Sequence, residues 1–124
     1  MKGAGRRVAI TGYGVVAPCG LGKKAFWDGL NGPGITDHRN IEIVDWDPLP
    51  YFENPKQARR ADRVEQFAVA AAAEAFEHAG RPAVEPNRFG TIFATGVGGL
   101  RSTEEQIEVL LTKGERRVPP ISFQ

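Results

Sequence analysis

The sequence predicts an α/β fold, an incomplete sheet flanked by helices. Three observations point there. Two runs, 7–16 and 88–96, are rich in β-branched and apolar residues, as buried strands are. Helical periods of about 3.6 residues lie between and after them. Strands separated by helices are the pattern of a parallel sheet, yet two strands cannot cover the apolar faces of three helices. The chain also ends on apolar residues, Ile121 and Phe123, so it reads as the beginning of a larger fold.

Composition narrows the class. With 41% hydrophobic and 25% charged residues the chain is globular rather than disordered. Sixteen basic and 15 acidic residues leave a net charge of +1, too balanced to suggest nucleic acid. A single cysteine, Cys19, excludes an internal disulfide and a cysteine zinc site, and it fits a reducing cytoplasm. The opening "MKGAGRR" and the run after it superficially resemble a secretion signal. Thr11, Gly12, Tyr13 and Gly14 make that run poorly apolar, so it reads as a strand. No apolar run is long enough to span a membrane.

The elements follow in order. "RVAITGYGVV" (7–16) is the first strand, closed by Pro18 and Gly20. "GKKAFWDGLNG" is a short helix with Phe26, Trp27 and Leu30 on one face. Residues 33–60 hold scattered prolines and glycines without a sustained period and read as surface connection, with "IEIV" (41–44) a candidate short strand. In "ADRVEQFAVAAAAEAFEHAG", Asp62 and Glu65 have capping-box spacing. Val64, Phe67, Ala68, Ala71, Ala75 and Phe76 form an apolar stripe, and Gly80 with Pro82 ends the helix. So many alanines imply close approach of another backbone. "RFGTIFATG" (88–96) is the second strand, and "STEEQIEVLLTKG" a further helix with Ile107, Leu110 and Leu111 inward. Pro119 and Pro120 make the tail extended.

Taken residue by residue, no active site emerges. "GYGVVA" matches a dinucleotide-binding pattern in letters, but Pro18, Cys19 and Gly20 precede the helix and the acidic residue expected about 20 positions on is missing. "TGVGGL" lacks the Lys-Ser/Thr pair of a phosphate loop. Cys19 has no neighbouring histidine in sequence, His38 falls in a loop, and His78 closes a helix, where it suits the dipole. Two histidines so far apart make no metal signature.

The motifs "RRVAITGYGVVAPCGLG", "FWDGLNGPGI", "AFEHAG", "FGTIFATGVGGL" and "KGERRVPPISFQ", in this order and spacing, resemble the N-terminal part of β-ketoacyl-acyl-carrier-protein synthases. The resemblance covers nearly the whole chain. It implies the N-terminal portion of a thiolase-like fold over 1–124, with a cap-like connection at about 33–60. It implies an acyltransferase that loads an acyl group on a cysteine and condenses it with malonyl carrier protein as CO2 leaves, in fatty acid or polyketide synthesis. Cys19 does not align with that cysteine, and the family's catalytic cysteine and two histidines fall beyond this sequence, so the chain alone is expected to be inactive. No metal or resident cofactor is implied, because phosphopantetheine arrives on the acyl carrier protein. The partners implied are that carrier protein and a homodimeric or pseudo-dimeric mate.

The resemblance also assigns residues. Gly96, Val97, Gly98 and Gly99, with Ile121 and Ser122, line the acyl tunnel, and Val97 acts as its gate. Ser122 stands where many relatives have a bulkier aromatic residue, which implies room for longer chains. Lys56, Arg59, Arg60 and Arg63 form a basic cluster for the acidic carrier protein. From the residues alone, Val97 reads as a core valine and the cluster as a solvated surface. Two alternatives stay open: a non-catalytic, chain-length-factor-like subunit, and a nucleotide-binding α/β module built on "GYGVVA".

Overall fold

A computed structural model describes residues 7–33 and 41–119. The chain divides into two compact units, one of residues 1–46 with 70–88 and the other of residues 47–69 with 89–124.

In the first unit, strands β1 (Val16–Ala17) and β2 (Gly20–Leu21) pair antiparallel, Val16 opposite Leu21 and Ala17 opposite Gly20, around a Pro18–Cys19 turn. Helix α1 (Gly22–Leu30) follows at once, and the Gly22 N–H donates to the Val15 carbonyl at 2.9 Å. Asn31 ends α1: its backbone and side-chain N–H groups both donate to the Trp27 carbonyl. An exposed Lys24–Asp28 pair at 2.5 Å runs along α1 and adds little stability.

Helix α3 (Arg63–His78) contributes residues up to Val69 to the second unit and the rest to the first. Its last turns are where the predicted close approach occurs. A Cβ on Gly12 would run into the Ala75 carbonyl oxygen and lie 2.8 Å from the Ala79 nitrogen. One on Gly14 would run into the Ala71 carbonyl oxygen and lie 2.7 Å from Glu74 Cβ. The alanines of α3 and the glycines of "GYG" are therefore two halves of one contact: both lack the atoms that would hold the backbones apart. Between the glycines, Tyr13 donates its N–H to His78 Nδ1 at 3.2 Å, and the two rings meet edge to face at 4.6 Å. His78 closes α3 as the sequence predicts, and its ring meets the Tyr13 backbone there. A Schellman motif closes the helix: Arg81 N–H reaches the Phe76 carbonyl, Gly80 N–H reaches that of Glu77, and Gly80 has φ 79°.

In the second unit, α2 (Pro55–Arg60) forms inside what the sequence suggested was surface connection. Pro55 occupies the first helical position, and Asn54 caps it by accepting the Lys56 N–H at 2.8 Å. The capping box of α3 forms as expected: Asp62 accepts the Val64 N–H, and Glu65 accepts the Asp62 N–H, each at 3.0 Å. Gln66 Nε2 donates to the carbonyls of Ala58 and Ala61, which fastens the end of α2 to the start of α3. Helix α4 (Leu100–Lys113) ends at Gly114.

Several expectations are corrected. Residues 7–15 and 89–96 carry no strand, and "IEIV" carries none either; the hairpin is the only sheet among the described residues. A strand is stable only when its N–H and C=O groups find a ladder partner, and no described segment supplies one. Consequently Val8 and Ile92 stand 90% and 99% exposed. On α1, Trp27 and Leu30 are exposed, and on α4 so are Ile107, Leu110 and Leu111, because nothing described covers those faces. The tail starts as a 3-10 turn, Glu115–Arg117, rather than extended chain. Among the described residues only Ala58 and Ala70 are fully buried hydrophobics.

The Gly14 contact yields a clear expectation. Gly14→Ala forces a methyl group against the α3 backbone and should lower the unfolding free energy of the chain by about 1–3 kcal/mol. Gly90→Ala, at a position with nothing within 4 Å, serves as the control and should leave the denaturation midpoint almost unchanged. Equal midpoints for the two variants would remove the glycine–alanine contact from this account.

Candidate functional site

Both groups of predicted site residues that fall among the described ones belong to the second unit. The glycine segment "TGVGGL" turns from irregular chain into α4, and its glycines serve different ends. Gly99 is the residue before α4 and has φ 76° and ψ 8°, a left-handed conformation that side chains with a Cβ rarely adopt. Its carbonyl accepts both the N–H and the hydroxyl of Thr103, each at 2.9 Å. Gly98 sits in tighter space: a Cβ there would lie 2.9 Å from Thr95 Cγ2 and 3.3 Å from Val64 Cγ1, both side-chain ends. Gly96 meets neither demand, since a Cβ there would have nothing within 4 Å. Beside it Val97 stands 73% exposed. A core valine is thus not what the described residues show. The segment has a fixed half, Gly98–Gly99, and a bare half, Gly96–Val97. Ile121 and Ser122 lie outside the described residues.

The segment is tied to the start of α3. The Ser102 hydroxyl donates to Asp62 Oδ2, while Asp62 Oδ1 accepts the Val64 N–H. Neither Ser102 nor Gln66 stood out in the sequence. Asp62 was legible as a cap, but its second bond joins residues 40 apart and leaves no local signal.

The basic cluster is placed by two helices. Lys56, Arg59 and Arg60 are exposed and share one face of α2 by i, i+3 and i+4 spacing, while Ala58 between them is buried. Arg63 opens α3, with its guanidinium 5.1 Å from the centre of the Phe67 ring. The spacing of the sequence puts this cluster just before and into the start of α3, where the helix dipole disfavours positive charge. The structure corrects that for Arg59 and Arg60, which occupy the last turn of α2, where carbonyl ends favour cations. Their placement needs no compensation elsewhere. What remains noteworthy is that Lys56, Arg59 and Arg60 enter no ion pair among the described residues, so their charge faces outward.

The other candidates recede. Cys19 is a half-buried free thiol in the turn between β1 and β2. Gly12 and Gly14 spend their bare backbone on α3, which accounts for "GYGVVA" without a pyrophosphate. Among the described residues no three His, Cys, Asp or Glu side chains are grouped to hold a metal, and no helix is long and apolar enough to cross a membrane.

Comparison with known proteins adds what the geometry alone does not. Residues 36–123 match the family described as "Beta-ketoacyl synthase, N-terminal domain". The chain is 40% identical to the tetracenomycin polyketide synthase ketoacyl synthase alpha subunit of Streptomyces glaucescens, across 91% of this chain and 30% of that protein. It is 33% identical to 3-oxoacyl-(acyl-carrier-protein) synthase 2 of Synechocystis sp., across 93% of this chain and 31% of that protein. The chain thus spans under a third of the length of these relatives.

Proposed function

Because the chain belongs to the beta-ketoacyl synthase family, we propose that it is part of a 3-oxoacyl-acyl-carrier-protein synthase. The observation that carries this reading is the match to the family's N-terminal domain over residues 36–123. In the reaction proposed, a cysteine thiolate displaces the phosphopantetheine thiol of an acyl carrier protein and forms an acyl thioester. Malonyl carrier protein then loses CO2, and the resulting carbanion attacks that thioester; a carbon–carbon bond forms and the cysteine leaves. The nucleophile belongs to a segment other than this one, and phosphopantetheine enters with the carrier. The name of the Streptomyces glaucescens relative, an alpha subunit of a polyketide ketoacyl synthase, favours a catalytic subunit over a chain-length-factor-like partner.

Within that enzyme the glycine segment forms a wall of the acyl tunnel. Gly96 leaves open space, Val97 projects next to it, and an apolar chain can lie against such backbone at close range. Gly98 and Gly99 hold the wall in place, and Ile121 and Ser122 complete it. The outward charge of Lys56, Arg59 and Arg60, with Arg63 beside them, supports docking of the acidic carrier protein, whose approach it would steer.

Three experiments check these assignments. Intact mass of the native gene product, incubated with acyl carrier substrate, should show acylation that survives Cys19→Ser; acyl loading lost in that variant would overturn the assignment of the nucleophile elsewhere. Val97→Phe should shorten the longest acyl chain elongated, with kcat/KM for the longest substrates falling about tenfold or more, while short ones are retained. An unchanged chain-length profile would count against the tunnel wall. Reversing Lys56, Arg59 and Arg60 to Glu should raise KM for carrier-linked substrate about tenfold at low salt, with kcat preserved and the difference shrinking as salt is added. A salt-independent loss would point to misfolding instead of docking.

A further inference from the structure

We propose that Ser102 and Asp62 are positioning residues for acyl-chain selection, their hydroxyl–carboxylate bond fixing where Val97 stands. The inference rests on the tunnel reading of the glycine segment. Helix α4 starts without a side-chain cap of its own, because the residue before it is Gly99. Its first turn is held from outside. Ser102 donates to Asp62 Oδ2; the missing Cβ of Gly98 leaves the room that Val64 occupies, 3.3 Å away; and a Cβ on Gly99 would lie 3.8 Å from Asp62 Oδ2. Of these, the Ser102–Asp62 bond is the direct tie, and it falls on the C-terminal side of Val97. On its N-terminal side Gly96 has nothing within 4 Å. The tie that follows the gate residue therefore runs to Asp62 at the head of α3.

Asp62 itself does not need Ser102 to stay in place. Its Oδ1 accepts the Val64 N–H, and its own N–H donates to Glu65. Removing the hydroxyl leaves the α3 cap whole and releases only the first turn of α4. A gate whose support has moved should lose discrimination between chain lengths more than it loses turnover.

The test uses the intact gene product and reads the ratio of kcat/KM for long and short acyl substrates. Ser102→Ala should change that ratio about threefold or more toward longer chains. Ser102→Thr, which keeps the hydroxyl, should restore it. Asp62→Asn retains an amide oxygen for the Val64 N–H, and its amide N–H can donate to the Ser102 hydroxyl, so its shift should be smaller than that of Ser102→Ala. A uniform fall in kcat/KM for all chain lengths, alongside a Val97→Phe variant that does alter the ratio, would overturn the positioning role and leave the tunnel reading standing. A ratio indifferent to Val97→Phe as well would overturn both.

Discussion

The carboxylate of Asp62 is the point on which the second unit turns. One oxygen caps α3 through the Val64 N–H and the other receives the Ser102 hydroxyl of α4. A helix start has backbone N–H groups without partners, and a side-chain cap is worth about 0.5–2 kcal/mol. Here one side chain caps α3 and also ties to the first turn of α4 through the Ser102 hydroxyl, a helix whose preceding glycine has no side chain to cap it. The geometry of the glycine segment is thus inherited from α3. That helix holds the basic corner as well, through Gln66 and the carbonyls of Ala58 and Ala61.

In the first unit the corresponding constraint is steric. Gly12 and Gly14 come so close to Ala71, Ala75 and Ala79 that no side chain fits between, and the Tyr13–His78 contact fastens the pair of backbones where the glycines leave a gap. The same glycines make a plausible phosphate loop on paper. What separates the two uses is the partner: pyrophosphate binding needs the glycines to face an open helix N-terminus, whereas these face the flank and last turns of α3.

How much of this was legible follows from range. Asp62 and Glu65 lie three apart, so their capping box could be read directly and formed as read. The alanine stripe announced a close neighbour without naming it. The end of α3 at Gly80 was legible for the same local reason. Helix α2 was passed over because Pro55 and the prolines before it looked like loop, although Asn54 followed by Pro55 is a cap followed by a first helical residue. Residues 7–16 and 88–96 read as strands because their side chains suit a sheet interior; whether they pair is a property of a partner, which no local pattern contains. The same holds for Ser102, whose role depends on a residue 40 positions away.

That dependence on partners bears on function. Val8, Ile10, Ile92, Phe93, Ile107 and Leu111 are exposed, although their pattern is that of an α/β interior. Relatives more than three times as long share this segment at 33–40% identity, so in them the same positions have far more chain available to cover them. Exposure therefore has two meanings along this sequence. At Ile92 and Leu111 it marks faces made for burial. At Gly96 and Val97 it sits directly beside Gly99, set by its left-handed backbone, and Gly98, which has Thr95 and Val64 close by. A bare stretch next to a fixed one is what a selective wall requires: the fixed half sets the distance, and the bare half admits the chain. Under the proposed function, the glycines of this segment divide that labour, and Val97 is the side chain of the segment that bears on how much fits.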